Sequence, residues 1–364
     1  MIIDETKKTP IKYIGWFITD KCNLKCKHCC ISDNETLYPS GELSKKEIGV
    51  AIKNVFSWGV KHIHFLGGEP TLRQDFLEIL NLCKTVGIST SFNTNGQTID
   101  ESYAEEIVKA EVKTVTFSLE GPDPETNDFI RGRKTFRKTI EAIRFLKKAR
   151  LYGGRLVPPM ISLEIGMNRM WTDRLNKMKE LIFNIMPESI YLEPTQPEGR
   201  AVKYSKEIVL SPEDLLDLMP NMTKMVSSIQ DKVPVNFRFF PKCIEYGNVI
   251  SDSSALCSDH LCLAGVPQVY VVGKGIIIPC NYSTKILGWK GLPNVISSSL
   301  EDVLNSPHFI KFFDLWQRGI KKPPPVCSKC NFYEILCEPC PVAPQEERVR
   351  GTEICAKSMW RLNQ

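Results

Sequence analysis

Cys22, Cys26 and Cys29 lie in the run Cys22-Asn23-Leu24-Lys25-Cys26-Lys27-His28-Cys29, a Cys-x₃-Cys-x₂-Cys spacing. Thiolates this close together are the usual ligands of iron–sulfur clusters. Three of them can hold three irons of a cubane. No fourth ligand is supplied locally, so one iron is left open to an outside molecule. Zinc is the competing reading, because it also takes thiolates and His28 is at hand. Cys30 lies outside the motif and reads as a core thiol.

The chain has 14 cysteines in 364 residues, and nine of them lie from Cys243 onward. Its start, Met-Ile-Ile-Asp-Glu-Thr-Lys-Lys, has no signal-peptide pattern, which points to the cytoplasm. Thiols stay reduced there, so clustered cysteines point to metal rather than disulfides. The late array runs Cys257, Cys262, Cys280, then Cys327-x₂-Cys330-x₆-Cys337-x₂-Cys340, and Cys355. The 327–340 block also fits a structural zinc site, although its six-residue gap is short for a zinc ribbon.

The elements that must position these groups are visible as alternating patterns. Strand-like runs fall at Tyr13–Thr19, His62–Gly67, Ile88–Asn93, Thr114–Glu120, Ile161–Gly166 and Ile190–Pro194. Amphipathic helical runs fall at Lys45–Trp58, Asp75–Val86, Glu101–Lys109, Phe136–Arg150, Asp173–Phe183 and Pro212–Ile229. Such alternation predicts an α/β fold with a parallel sheet and right-handed crossovers, a partial (β/α)₆ TIM-like barrel. Chemistry in that architecture sits at the C-terminal ends of the strands. Cys22–Cys29, Gly67-Gly68-Glu69-Pro70, Asn93-Thr94-Asn95-Gly96 and Ser118-Leu119-Glu120-Gly121 all follow or close strands, so they are expected on one rim.

Beyond about residue 235 the texture changes to Cys, Pro and short strands, Gln268–Val272 and Gly275–Pro279, with a hairpin turn at Lys274-Gly275 and one helix at Leu300–Arg318. The expected domains are therefore 1–235, the barrel, and 236–364, a small cysteine-rich unit. The net charge of +5 is modest and interspersed, which argues against nucleic acid as a partner. No apolar run of about 18 residues exists, so no membrane span is expected.

The first cysteine motif, placed after the first strand, resembles the signature of the radical S-adenosylmethionine (SAM) superfamily. Gly67-Gly68-Glu69-Pro70 resembles that family's GGEP turn, which counts against zinc. The resemblance implies that the amino and carboxylate groups of SAM chelate the open iron of a [4Fe–4S] cluster. One electron, drawn from a reductant such as flavodoxin or ferredoxin, then releases a 5′-deoxyadenosyl radical that abstracts a substrate hydrogen. It also implies cofactor contacts at Gly67, Gly68, Glu69 and Pro70, at Asn93 and Asn95 on the ribose side, and at Ser118 and Arg131 near the methionine carboxylate.

The late array is similar to the SPASM domain, which carries auxiliary iron–sulfur clusters, though with a six-and-two spacing where five and three is usual. Carried over residue by residue, Cys262, Cys280 and Cys340 would join one auxiliary cluster, with Cys257 as its fourth ligand and Cys243 behind it. Cys327, Cys330, Cys337 and Cys355 would hold another. Sulfatase-maturing relatives place an aspartate after the cysteine equivalent to Cys280; Asn281 stands here and cannot act as a base.

Most relatives with this domain modify ribosomally made peptides, so a peptide is the expected substrate. A small molecule, such as a sugar, aminoglycoside or tetrapyrrole, is the rival. About 12 residues precede the first strand, so a peptide substrate is expected to need a separate leader-binding protein or a short recognition path. Glu164, Glu193, Gln196 and Tyr282 are candidate substrate contacts. A non-enzymatic iron–sulfur or zinc protein would have no use for the Gly67–Pro70 turn.

Overall fold

A computed structural model of the chain describes residues 11–29, 39–152, 155–195, 199–237, 268–280 and 283–321. In chain order these form β1 (Tyr13–Thr19), α1 (Lys45–Ser57), β2 (His62–Gly67), α2 (Phe76–Val86), β3 (Ser89–Thr94), α3 (Glu101–Lys109), β4 (Thr114–Leu119), α4 (Pro124–Arg131) and α5 (Thr135–Ala149). There follow the two-residue strands β5 (Leu151–Tyr152) and β6 (Arg155–Leu156), then β7 (Met160–Met167), α6 (Leu175–Ile185), β8 (Ser189–Pro194), α7 (Ser205–Ile208), α8 (Pro212–Ile229) and β9 (Val235–Phe237). The last described elements are β10 (Gln268–Val272), β11 (Ile276–Ile278), α9 (Ser283–Leu287), α10 (Leu300–Leu304) and α11 (Pro307–Lys321).

One nine-stranded sheet runs in the order β11-β10-β1-β2-β3-β4-β7-β8-β9. The expected strands form its middle, paired parallel in sequence order, with helices between them. This is the mostly parallel α/β fold of a partial TIM-like barrel. The sheet also crosses the expected domain boundary. β10 pairs parallel with β1, and β11 folds back on it antiparallel, so two strands from beyond residue 235 extend the barrel sheet.

Local chemistry explains the element ends. Ser44 and Glu47 form a reciprocal capping box at the start of α1, and Ser211 with Asp214 does the same for α8. Gly87 ends α2 at φ 82°, a left-handed cap that favours glycine. One expectation needs correction, and one element is added. The single helix at Leu300–Arg318 is two helices, because Pro307 has no N–H to continue α10 and instead starts α11. The span between Gly121 and Phe136 also holds a helix, α4, started by Asp123, whose side chain accepts from the Thr126 N–H.

The two faces of the strands differ in kind. In β4, Val115, Phe117 and Leu119 are buried on the helix side, as parallel sheets require. Phe76 on α2 meets Phe65 and Phe92 edge to face, at 5.5 and 5.2 Å between ring centroids. The alternate residues turn to the barrel interior, which is polar. His62 bridges Ser89 (2.8 Å) and Ser91 (2.7 Å), and His64 reaches Ser91 at 2.6 Å.

Burial, with some help from Lys113, holds the His62 imidazole down at about 4. A histidine depressed in the folded state contributes stability above its unfolded value of about 6.5, and that stability is lost as pH falls toward 4. Wild type is therefore expected to lose up to about 3 kcal/mol more than His62→Gln between pH 6.5 and 4. Anaerobic urea denaturation across that range checks this; parallel pH profiles would contradict it.

Candidate functional site

The site forms where the C-terminal ends of β1 to β4, β7 and β8 meet the cysteine loop. β1 ends at Thr19, and the chain then passes under the turn that closes β2. Gly68 N–H donates to the Thr19 carbonyl and Glu69 N–H to the Lys21 carbonyl, both at 2.8 Å. A Cβ on Gly67 would lie 2.2 Å from the Thr19 oxygen, and one on Gly68 would lie 2.1 Å from the Lys21 oxygen. The two glycines therefore let one backbone dock on another, and this docking places the cysteine loop.

Glu69 is almost wholly buried and braces the same junction. Its carboxylate accepts from the Thr71 N–H and hydroxyl, the Thr94 hydroxyl and the Asn95 N–H. Burial pushes its carboxyl up, while those donors oppose the shift. Pro70 begins the short turn that follows. Asn95 faces the loop: its side chain donates to Asn23 Oδ1 at 2.8 Å and lies 3.9 Å from Cys22 Sγ.

Cys22 is exposed, Cys29 half-buried and Cys26 buried. Among the described residues, no three His, Cys, Asp or Glu side chains are already drawn into a metal-ligating arrangement. The three thiols are nevertheless close enough for Cys26 to feel charge on both Cys22 and Cys29, and for Cys22 to feel charge on Cys29. Burial pushes Cys26 up to about 11 and raises Cys22, while Arg131 pulls both down. Thiolates here need a cation, and a bound metal supplies one, since coordination deprotonates a thiol outright. Cys83, by contrast, is a core thiol pushed up to about 12 by burial.

Beside the loop lies a buried charged group. Arg131, at the end of α4, donates to Glu120 Oε1 at 2.9 Å, and His28 Nε2 lies 3.1 Å from the same oxygen. Glu120 is pushed up to about 7 by burial, against the pull of Arg131, and His28 is held down near 3 by burial. Gly166 makes room for this carboxylate, since a Cβ there would lie 1.9 Å from Glu120 Oε2. Asn93 donates to Glu164 across the interior, and Ser118 pairs with Glu164 in register.

Several buried polar atoms on this rim have no hydrogen-bond partner: His28 Nδ1, Asn93 Oδ1, Arg131 Nε and Thr195 Oγ1. Such atoms are costly to leave unpaired, so their convergence suits a polar ligand. The residues present therefore fit both a thiolate-bound metal centre and a polar cofactor beside it. Glu120 lay unassigned within the Ser-Leu-Glu-Gly run; its signal was that it is the first charged residue after an apolar strand. Cys280 is buried against Phe312, and its carbonyl accepts from Ser283. Cys257, Cys262, Cys327, Cys330, Cys337, Cys340 and Cys355 lie outside the described residues, as do Cys30, Cys243, Gln196, Asn281 and Tyr282.

Comparison with known families bears directly on this arrangement. The radical SAM superfamily model matches residues 16–164, and the SPASM iron–sulfur cluster-binding domain model matches residues 262–331. The chain is a radical SAM protein of the SPASM subfamily. Its cofactors are accordingly [4Fe–4S] clusters and SAM. An AdoMet-dependent heme synthase from Oleidesulfovibrio alaskensis is 24% identical over 336 residues, covering 89% of this chain and 81% of that protein. The mycofactocin maturase MftC of Mycobacterium ulcerans is 32% identical over 136 residues, covering 37% of this chain and 36% of that one. Streptococcus suis SuiB, solved bound to precursor peptide SuiA, shares the fold at TM-score 0.66 and 17% identity, over 90% of this chain and 71% of SuiB. Among the described residues of this radical SAM protein, no helix is long and apolar enough to cross a membrane.

Glu69→Gln keeps the shape of the brace but turns one acceptor into a donor facing donors. The variant is expected to be about 1–3 kcal/mol less stable in anaerobic urea denaturation. Unchanged stability would show that the brace is dispensable.

Proposed function

We propose that this radical SAM protein starts a reaction on a ribosomally synthesised peptide by hydrogen abstraction, with Cys22, Cys26 and Cys29 holding the SAM-binding [4Fe–4S] cluster. The observation that carries this reading is the convergence of the three loop thiols with unpartnered polar atoms on one strand-end rim. When bound, the cluster and SAM together supply one electron to the sulfonium and a 5′-deoxyadenosyl radical that takes a substrate hydrogen. Arg131, its Nη1 held by Glu120, keeps a cation beside the loop and has Nε unpartnered, which suits the methionine carboxylate. Ser118 adds a hydroxyl on the same strand end. Asn93 and Asn95 offer amide groups to the ribose side. In the Gly67–Pro70 turn, the backbone receives the methionine ammonium, since the Glu69 carboxylate already accepts four hydrogen bonds.

Residues 236–364 are taken as the auxiliary-cluster domain. Cys257, Cys262, Cys280 and Cys340 would hold one cluster, and Cys327, Cys330, Cys337 and Cys355 another. A nearby cluster gives the electron left on a substrate radical somewhere to go, which favours a net oxidation or bond formation. A flavodoxin or ferredoxin is the reductant and a separate leader-binding protein the partner that this reading calls for.

The charge of the rim supports the peptide. Glu120, Glu164 and Glu193 gather at the ends of β4, β7 and β8, and the buried cation Arg131 is already paired with Glu120. A carboxylate-rich tetrapyrrole would meet like charge there. The tetrapyrrole reading has its own support in the heme synthases, which align over nearly the whole chain.

Anaerobic reconstitution is expected to give roughly 8–12 irons per chain. Reduced protein with SAM should release 5′-deoxyadenosine, and Cys26→Ala should release none. Two to four irons, or zinc, would defeat the assignment of two auxiliary clusters, and nucleoside release by Cys26→Ala would defeat the loop assignment. A small open reading frame beside this gene, whose peptide changes mass with the reduced protein and SAM while an iron porphyrin does not, is the expected substrate result; the reverse would favour the tetrapyrrole.

A further inference from the structure

The segment Gly199-Arg200-Ala201-Val202, a short 3₁₀ turn after β8, clamps the far side of the cysteine loop. The Arg200 side chain donates from Nε to the Cys26 carbonyl at 2.9 Å, and its backbone N–H donates to the Cys29 carbonyl at 3.0 Å. One residue thus grips the loop at two of its three thiol-bearing positions. Its neighbours fit that task. Gly199 turns the chain at φ 55°, a left-handed conformation that favours glycine. Ala201 is wholly buried in a small cluster with Ile130 and Ile208. Lys27, inside the loop, donates its N–H to the Ile130 carbonyl at 2.8 Å and lays its ammonium 3.2 Å from the centre of the Phe129 ring. The loop is therefore held between the end of α4 and the Arg200 turn.

We infer that Arg200 is a positioning residue for the SAM-binding cluster: it fixes the Cys26–Cys29 span and places a cation that stabilises the cluster's reduced state. The physical basis is that hydrogen bonds and charge around a cluster set its reduction potential. A reduced cluster carries one more negative charge than the oxidised one, so a cation held on the loop favours reduction. The guanidinium sits on the loop itself, with Nε donating to the Cys26 carbonyl. A fork that donates to a carbonyl while remaining charged is what arginine supplies and a neutral residue does not.

This inference rests on the assignment of Cys22, Cys26 and Cys29 to the cluster, and the two can fail separately. The test uses the full chain, reconstituted anaerobically, as wild type, Cys26→Ala, Arg200→Gln and Arg200→Lys. Iron content is measured, and the cluster signal that changes on adding SAM is followed through a redox titration by electron paramagnetic resonance. Arg200→Gln is expected to titrate at lower potential. At the wild-type midpoint, its ratio of reduced to oxidised cluster should fall about tenfold, equivalent to ~59 mV for a one-electron couple. Arg200→Lys should restore the wild-type midpoint to within about twofold in that ratio. Arg200→Gln titrating as wild type with full iron would overturn the role of Arg200 while leaving the cluster assignment intact. No SAM-responsive signal in wild type, or its survival in Cys26→Ala, would overturn the assignment itself. If Arg200→Gln takes up no iron, Arg200→Lys decides: loading at the wild-type midpoint supports the inference, and failure to load or a lowered midpoint overturns it.

Discussion

The site depends on the docking of one backbone onto another where β1 and β2 end. Thr19 and Lys21 present carbonyls to the N–H groups of Gly68 and Glu69, at a separation no side chain at residues 67 or 68 would permit. Two hydrogen bonds without intervening side chains are short and stiff, so the chain leaving β1 has little freedom. That chain becomes the cysteine loop. Glu69 then ties the same turn to the end of β3 through Thr94 and Asn95. The loop, the turn and the next strand end are thereby one unit, and the thiols inherit its geometry.

Charge placement is the second constraint. Glu120 and Arg131 are buried together, and the half-buried His28 ring packs against them. An isolated buried charge would be costly, and pairing Glu120 with Arg131 offsets that cost. The arrangement leaves the His28 ring neutral and Arg131 charged beside Cys22 and Cys26. A cation there favours thiolates, which is the form a metal requires. The barrel interior continues this polar character through Asn93, Glu164 and the histidine–serine ladder. The outer face of the same strands is apolar and packs against helices. The barrel is therefore stabilised from outside, which leaves its interior and rim free for polar chemistry.

Much of this was legible in the chain itself. The period-two and helical patterns placed each of the central strands to within about a residue, because the face of each strand that packs on helices must be apolar while the other lines a polar interior. The Cys22–Cys29 spacing and Gly67–Pro70 announced a cysteine loop and a tight turn, since both are local facts of residue type and separation. Helix α4 escaped notice because its Asp123 cap and Pro124 start sit in a polar stretch without strong periodicity. The split between α10 and α11 follows from the missing N–H of Pro307.

Residue type and spacing alone determined the α/β class, the cysteine loop and the set of polar groups at the strand ends. The fold decided how those groups were divided between structure and chemistry. Gly67 and Gly68 serve backbone docking, and Glu69 serves as a brace, because the chain entering the cysteine loop passes beside them. Glu120 and Arg131 became partners across an intervening loop and helix, and Arg200 reached Cys26 from 174 residues away. β10 and β11 joined the barrel sheet from a segment whose composition looked separate. Such contacts are decided by the closure of the sheet in space, a property no local window of sequence contains.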